Sequence, residues 1–177
     1  MSLAPYQVAF LADGHDRSRF NCRSEPLNRY LKQQASQDIR RRVAACFVAI
    51  APGQQIAGYY TLASAGVLLD ALPASFTRKL PRYPSLPAIR LGRLAVDQAH
   101  CGRGLGAALL ADALYRAIGA EIAACAMLVD AKDADAAAFY QHHGFIALPG
   151  AQSAAGAPLT LFLPLATARA AGHMAQP

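Results

Sequence analysis

Three glycines at alternate positions, Gly102, Gly104 and Gly106, follow the apolar stretch Leu94-Ala95-Val96 and open a run rich in alanine and leucine. Glycines so spaced let successive backbone N–H groups turn toward one point, and a helix start adds partial positive charge there. The segment therefore suits a phosphate or pyrophosphate, to which Arg103 can add a charge-assisted hydrogen bond. It is not a P-loop, because no Gly-Lys-Ser/Thr follows, and its third glycine comes one residue early for the dinucleotide-binding G-x-G-x-x-G. No general base stands out. His15, His100 and His173 fall in loops or the tail, and His142 and His143 read as the cationic end of a helix. Cys22, Cys46, Cys101 and Cys125 lie far apart with no CxxC, which suggests neither a zinc site nor a disulfide framework and leaves no metal to expect.

The elements that must position the loop follow from pattern. Residues 6–11 read as a strand. Ser24-Glu25-Pro26 then gives an N-cap, an acid and a proline for a basic helix reaching about Arg41, with Leu27, Tyr30, Leu31, Ala35 and Ile39 on its apolar face. Residues 43–51 and 55–69 form a hairpin about Pro52-Gly53, and the proline-punctuated stretch 72–87 is irregular. A strand over 89–96 is interrupted at Gly92, a position for a bulge or a close backbone approach. Residues 105–119 read as a helix, 122–130 as a buried strand, 133–143 as a helix stopped by Gly144, and 159–163 as a last strand. This order fits an α/β (α+β) domain with a mixed central sheet and helices on both faces.

The chain has 177 residues, 54% of them apolar, enough for one domain with a core and too few for two of ordinary size. No run approaches the roughly 18 apolar residues of a membrane span, and the N-terminus lacks a signal pattern, which makes a cytoplasmic protein with no membrane partner the expectation. The net charge of +6 is uneven. Residues 17–42 hold eight basic groups against two acidic, residues 78–103 hold six against one, and the remainder is net −5. Such sidedness suits a polyanionic partner.

The stretch Leu91 to Phe145 resembles the acyl-CoA site of the GNAT superfamily of N-acetyltransferases. The carrying residues are Leu94-x-Val96, then Cys101-x-x-Gly104-x-Gly106, then Asp133-x-x-Ala136-x-x-Phe139-Tyr140 and Gly144-Phe145. Cys101 stands where that family has Arg or Gln, and Asp133 where it has Asn. The resemblance implies a single GNAT-like domain over residues 1–165, with a splayed acetyl-CoA cleft and a flexible tail over 166–177. It places the pantetheine arm and the oxyanion donor on the backbone of Leu94, Ala95 and Val96. The pyrophosphate falls on Cys101, Gly102, Arg103, Gly104, Leu105 and Gly106, and Tyr140 becomes the proton donor to the departing thiolate. A phenol with a reference pKa of about 10 is protonated at neutral pH and lies not far above a thiol at about 8.5, so the role suits the chemistry.

Further blocks resemble the GNAT toxins of toxin–antitoxin pairs, which acetylate the amino acid on charged tRNA. These are Phe20-x-Cys22, Leu27-x-x-Tyr30-Leu31, Gly58-Tyr59-Tyr60-Thr61-Leu62, Leu80-Pro81-Arg82-Tyr83-Pro84, Leu91-Gly92-Arg93 and Val129-Asp130-Ala131-Lys132-Asp133. This resemblance implies aminoacyl-tRNA as acceptor, with Arg78, Lys79, Arg82, Arg90 and Arg93 near its acceptor end, a homodimer, and silencing by a ribbon-helix-helix antitoxin. The missing base agrees, since an α-amine of pKa about 7.7 to 8.0 needs far less activation than a lysine near 10.4. A GNAT enzyme of a small amine or protein N-terminus is the alternative. A non-catalytic nucleic-acid-binding protein is a third reading, against which Tyr140 and the intact glycine loop speak.

Overall fold

The computed structural model describes residues 5–150 and 157–171. Seven strands form one sheet: β1 (Gln7–Phe10), β2 (Ala45–Ile50), β3 (Ile56–Leu68), β4 (Ser85–Val96), β5 (Ala126–Ala131), β6 (Ile146–Ala147) and β7 (Leu159–Pro164), in the order β1-β2-β3-β4-β5-β7-β6. The helices are α1 (Glu25–Arg29), α2 (Ala35–Arg40), α3 (Ala74–Thr77), α4 (Leu105–Gly119), α5 (Ala134–His142) and α6 (Leu165–Ala170). A π-helical segment, Tyr30–Gln34, joins α1 to α2. β1–β2–β3 and β5–β7–β6 are antiparallel, and β4 reaches its neighbour β5 through α4. The chain divides into two compact units, residues 1–63 with 91–113, and residues 64–90 with 114–177. Among the described residues no helix is long and apolar enough to cross a membrane.

In the first unit the β2–β3 hairpin turns through Gly53 and Gln54, both left-handed at φ +90° and +67°, the twist that suits a tight hairpin. The core gathers Phe20, Tyr30, Leu31, Ala35, Cys46, Val48, Tyr59 and Ala95. Ser24 occupies the expected N-cap position, but its side chain makes no capping bond. Helix α4 and strand β4 both come close to β3 at Gly58, where a Cβ would lie 2.8 Å from Leu109 Cδ1 of α4 and 2.9 Å from the Ala95 carbonyl oxygen of β4. Buried Tyr60 also donates its hydroxyl to Asp112 Oδ2 on α4 at 2.5 Å.

In the second unit Val67, Leu72, Leu86, Ala88, Ala126, Leu128 and Phe162 form the core. Three expectations are corrected here. The irregular 72–87 stretch holds α3 and the start of β4, because Leu86 and Ala88 alternate inward around Pro87. The strand expected from 122 begins only at Ala126, and Ile122 is 85% exposed. Alanine-rich sequence gave no edge to mark that boundary. Residues 166–170, expected in a flexible tail, form α6 with Leu165 and Ala168 buried, and the stretch from 172 onward lies outside the described residues.

Gly58→Ala should cost about 1–3 kcal/mol, since one of the two close atoms is backbone and cannot turn aside. A thermal unfolding midpoint several degrees below wild type is expected. An unchanged midpoint would show that both the Leu109 side chain and the β4 backbone at Ala95 can give way at this contact.

Candidate functional site

The glycine loop lies in the first unit and is held from behind by Asp97, a buried residue at the end of β4. One carboxylate oxygen accepts the Asn21 N–H and the other the Ala99 N–H, each at 2.8 Å. The Asp97 N–H donates to the Ala57 carbonyl, and the Gln98 N–H to the Asn21 carbonyl, again at 2.8 Å. The chain thus leaves the strand in one fixed direction. Gly102 and Gly104 are left-handed at φ +73° and +76°, and a Cβ on either would meet nothing within 4 Å. The glycines answer to backbone conformation, and the space over them is open. The Ala108 N–H bonds to the Gly104 carbonyl, so the N–H groups of Leu105, Gly106 and Ala107 have no carbonyl one turn earlier in α4 to pair with. Exposed Arg103 stands among them. A left-handed glycine pair, a helix start, a cation and open space fit a pyrophosphate. Cys101 is exposed, with its thiol 3.5 Å from the Asp97 carbonyl oxygen, and the cradle does not depend on it.

Just before the loop, Ala95 is buried in the core while Leu94 and Val96 are half-buried. Arg93 is half-buried as well, with its guanidinium carbon 3.5 Å from the centroid of the Tyr30 ring. Tyr30 is buried, stacks on Tyr59 at 6.3 Å between centroids, and donates its hydroxyl to Asp38 Oδ2 at 2.9 Å. Burial, followed by the Asp38 bond, pushes its ionisation well above the ordinary phenol range.

Tyr140 belongs to the second unit, on α5, whose start is capped by the Asp133 side chain accepting the Ala136 N–H at 2.8 Å. Gly144, left-handed at φ +93°, ends this helical segment as its sequence implies. The Tyr140 ring is buried edge-on against Phe139 and Phe145, at 5.2 and 5.4 Å. Its hydroxyl has no hydrogen-bond partner among the described residues. Burial pushes its pKa up to about 12. A buried phenol lacking a protein partner is a candidate for contact with a ligand.

The five basic residues expected at the acceptor do not share one environment. Arg78, Lys79 and Arg82 are exposed in the second unit. Arg90, also there, is ion-paired with Asp130, whose other oxygen takes the Thr160 hydroxyl at 2.7 Å. Arg93 alone falls in the first unit, beside Tyr30. Sequence reasoning missed the anchoring by Asp97, although an aspartate ending a strand before a turn is a signal for it. It also missed the π segment, which no local pattern announces. Among the described residues no group of three or more His, Cys, Asp or Glu is placed to hold a metal ion.

A strand that runs into a glycine cradle at a helix start suits a transferase working from a pyrophosphate-bearing donor. Residues 42–147 match the acetyltransferase (GNAT) domain family. A tRNA-acetylating toxin of Mycobacterium tuberculosis (strain ATCC 25618 / H37Rv) is 36% identical over 162 residues, which cover 90% of this chain and 92% of the relative. Among solved structures, AtaT complexed with acetyl-methionyl-tRNAfMet superposes with a TM-score of 0.83 at 30% identity, covering 94% of this chain and 98% of that one. A mutant AtaT toxin bound to the C-terminus of the antitoxin AtaR and acetyl-CoA gives 0.76 at 25% identity, covering 97% and 99%. The chain belongs to the GNAT acetyltransferases, enzymes whose acyl donor is acetyl-CoA.

Proposed function

We propose that this protein moves the acetyl group of acetyl-CoA to the α-amine of an aminoacyl-tRNA and thereby blocks translation as the toxin of a toxin–antitoxin pair. The observation that carries the catalytic part is the buried Tyr140 hydroxyl with no hydrogen-bond partner among the described residues. The acceptor class is supported by similarity to a tRNA-acetylating toxin along nearly the whole of both chains. The chain, including the packed helix α6, acts as one acetyltransferase domain in the cytoplasm. A homodimer and a ribbon-helix-helix antitoxin complete this reading, which rests on resemblance to the toxins, one of which binds an antitoxin's C-terminus.

In this mechanism the pyrophosphate lies on residues 101–106, with Gly102 and Gly104 aiming backbone donors and Arg103 adding charge. Residues 94–96 pair with the pantetheine arm, and a backbone N–H there holds the developing oxyanion. The acceptor nitrogen forms its bond to the acyl carbon as the carbon–sulfur bond breaks. Tyr140 gives its proton to the departing sulfur, and the proton lost by the amine leaves to water and restores the phenol. With its pKa pushed up to about 12, Tyr140 is a weaker acid than an ordinary phenol. Full transfer to a free thiolate near 8.5 is uphill, so proton delivery and sulfur departure proceed together.

Gly104→Glu would set a carboxylate against the pyrophosphate, and calorimetry should show acetyl-CoA affinity largely lost with the fold retained. Unchanged affinity would move the cofactor site elsewhere.

Tyr140→Phe keeps the ring packing and should leave acetyl-CoA binding intact while turnover falls by roughly 10²- to 10⁴-fold. Because Tyr140 stays protonated, wild-type turnover should rise with pH as the acceptor amine loses its proton, at or below about 7.7 to 8.0. Ionisation of Tyr140 should bring no alkaline fall until the pH nears 12. A phenylalanine variant within a few-fold of wild type would place the proton donor elsewhere.

The acceptor is tested by incubating radiolabelled acetyl-CoA with total charged tRNA and with deacylated tRNA. Label should enter only the charged pool, and the reaction should weaken steeply with salt. Label in neither pool, or equally in both, would shift the reading to a small amine or a protein N-terminus.

A further inference from the structure

The helix from Glu25 to Arg40 departs from α geometry only over Tyr30–Gln34. Side chains from outside the helix take carbonyls at this point: the Tyr59 hydroxyl donates to the Leu27 oxygen at 2.8 Å, and Arg17 Nη1 to the Leu31 oxygen at 3.2 Å. π segments of this kind concentrate at functional sites. Here the segment borders a cavity of about 340 Å³ lined by Pro26, Leu27, Arg29, Tyr30, Gln33, Gln34 and Arg93. The lining mixes an aromatic ring, two guanidinium groups and two side-chain amides.

Arg93 is the unusual member. Its guanidinium is pinned to the Tyr30 ring, yet among the described residues it has no hydrogen bond and no ion pair. Exposed Arg29 shares the cavity. Tyr30 is itself held, because Asp38 accepts its hydroxyl with one oxygen and the Gln34 amide with the other, both at 2.9 Å. The carboxylate is thereby spent on Tyr30 and Gln34, and Arg93 keeps its charge and its in-plane donors. A guanidinium fixed by its face presents the fork that a phosphate takes with two parallel bonds.

We infer that this cavity seats a phosphodiester at the 3′ end of the acceptor, with Arg93 and Arg29 on the phosphate and Tyr30 as the residue that positions Arg93. The inference rests on the aminoacyl-tRNA reading and refines it. Arg93 directly precedes the strand segment 94–96 to which the acyl donor is assigned, and each strand residue advances only about 3.3 Å. A group held by Arg93 is therefore within a nucleotide's length of that segment, which is where the reacting end of a charged tRNA has to lie. An acidic peptide could also meet the two arginines, but it has no need of that nearness.

The test measures steady-state constants for charged tRNA and for acetyl-CoA in wild type, Arg93→Lys, Tyr30→Leu and Tyr30→Phe. It also measures anisotropy of a fluorescent CpCpA trinucleotide on the same proteins. Arg93→Lys keeps the charge and loses the fork, and should raise KM for charged tRNA about 10- to 100-fold. Its acetyl-CoA KM should stay unchanged, and trinucleotide affinity should fall by a similar factor. Tyr30→Leu should resemble it, whereas Tyr30→Phe, which keeps the ring under the guanidinium, should stay within a few-fold of wild type. Should Tyr30→Leu fail to fold, Arg93→Lys and Tyr30→Phe still decide the matter. Wild-type constants in Arg93→Lys, or a trinucleotide that binds it as well as wild type, would overturn the assignment. So would displacement of charged tRNA by a short acidic peptide but not by the trinucleotide. If wild type labels no charged tRNA, the broader reading has failed, and the anisotropy alone reports on the cavity.

Discussion

The hydroxyl of Tyr59, buried in β3, donates to the Leu27 carbonyl, and much of the first unit's chemistry depends on that bond. A helix carbonyl in this position ordinarily accepts from the N–H four residues on, and a side-chain donor aimed at it lets the ladder open by one residue. The opening falls at Tyr30, whose ring stacks on Tyr59 while Phe20 meets Tyr59 edge-on at 5.5 Å. An aromatic column thus runs from the core to the Arg93 guanidinium. Buried polar tips on such rings are tolerated because each has an acceptor, Leu27 for Tyr59 and Asp38 for Tyr30.

Asp97 does a comparable job for the glycine loop. Glycines confer the left-handed conformations of residues 102 and 104, but they confer no rigidity. Direction comes from the carboxylate, which ties the segment at Asn21 to the turn at Ala99. The same freedom that lets backbone amides converge on an anion would otherwise let them diverge. A buried carboxylate satisfied by two backbone donors is the less flexible half of the device.

What was legible in the sequence is what depends on short-range pattern. The glycine loop, the helix from Leu105 to Gly119 and the stop at Gly144 were all local, and residue type alone identifies them. Illegible features were of two kinds. Alanine fits helix, strand and loop alike, so residues 122–125 could be read as strand although Ile122 and Ala123 are exposed and no strand begins before Ala126. The π segment depends on a tyrosine about thirty residues further along and an arginine thirteen residues earlier, and no window of local periodicity contains both. Tyr30 read as an ordinary apolar-face residue, which it is, and its second role exists only once Arg93 is placed over it.

Arg90 and Arg93 stand three residues apart on β4 and read identically in a charge count, yet they differ electrostatically. Arg90 faces Asp130, which offsets its charge, and Thr160 orients that carboxylate. Arg93 faces a ring, which attracts a cation without supplying an acceptor. Both side chains are held, but only one keeps its donors for something outside the protein. A net charge of +6 therefore overstates what a polyanion can use, because a partnered arginine contributes to the distant field far more weakly than an unpartnered one. Long-range attraction falls to exposed groups such as Arg78, Lys79 and Arg82, where salt screens it. Short-range selection falls to a guanidinium whose orientation is fixed before the ligand arrives, so that little side-chain entropy is lost on binding.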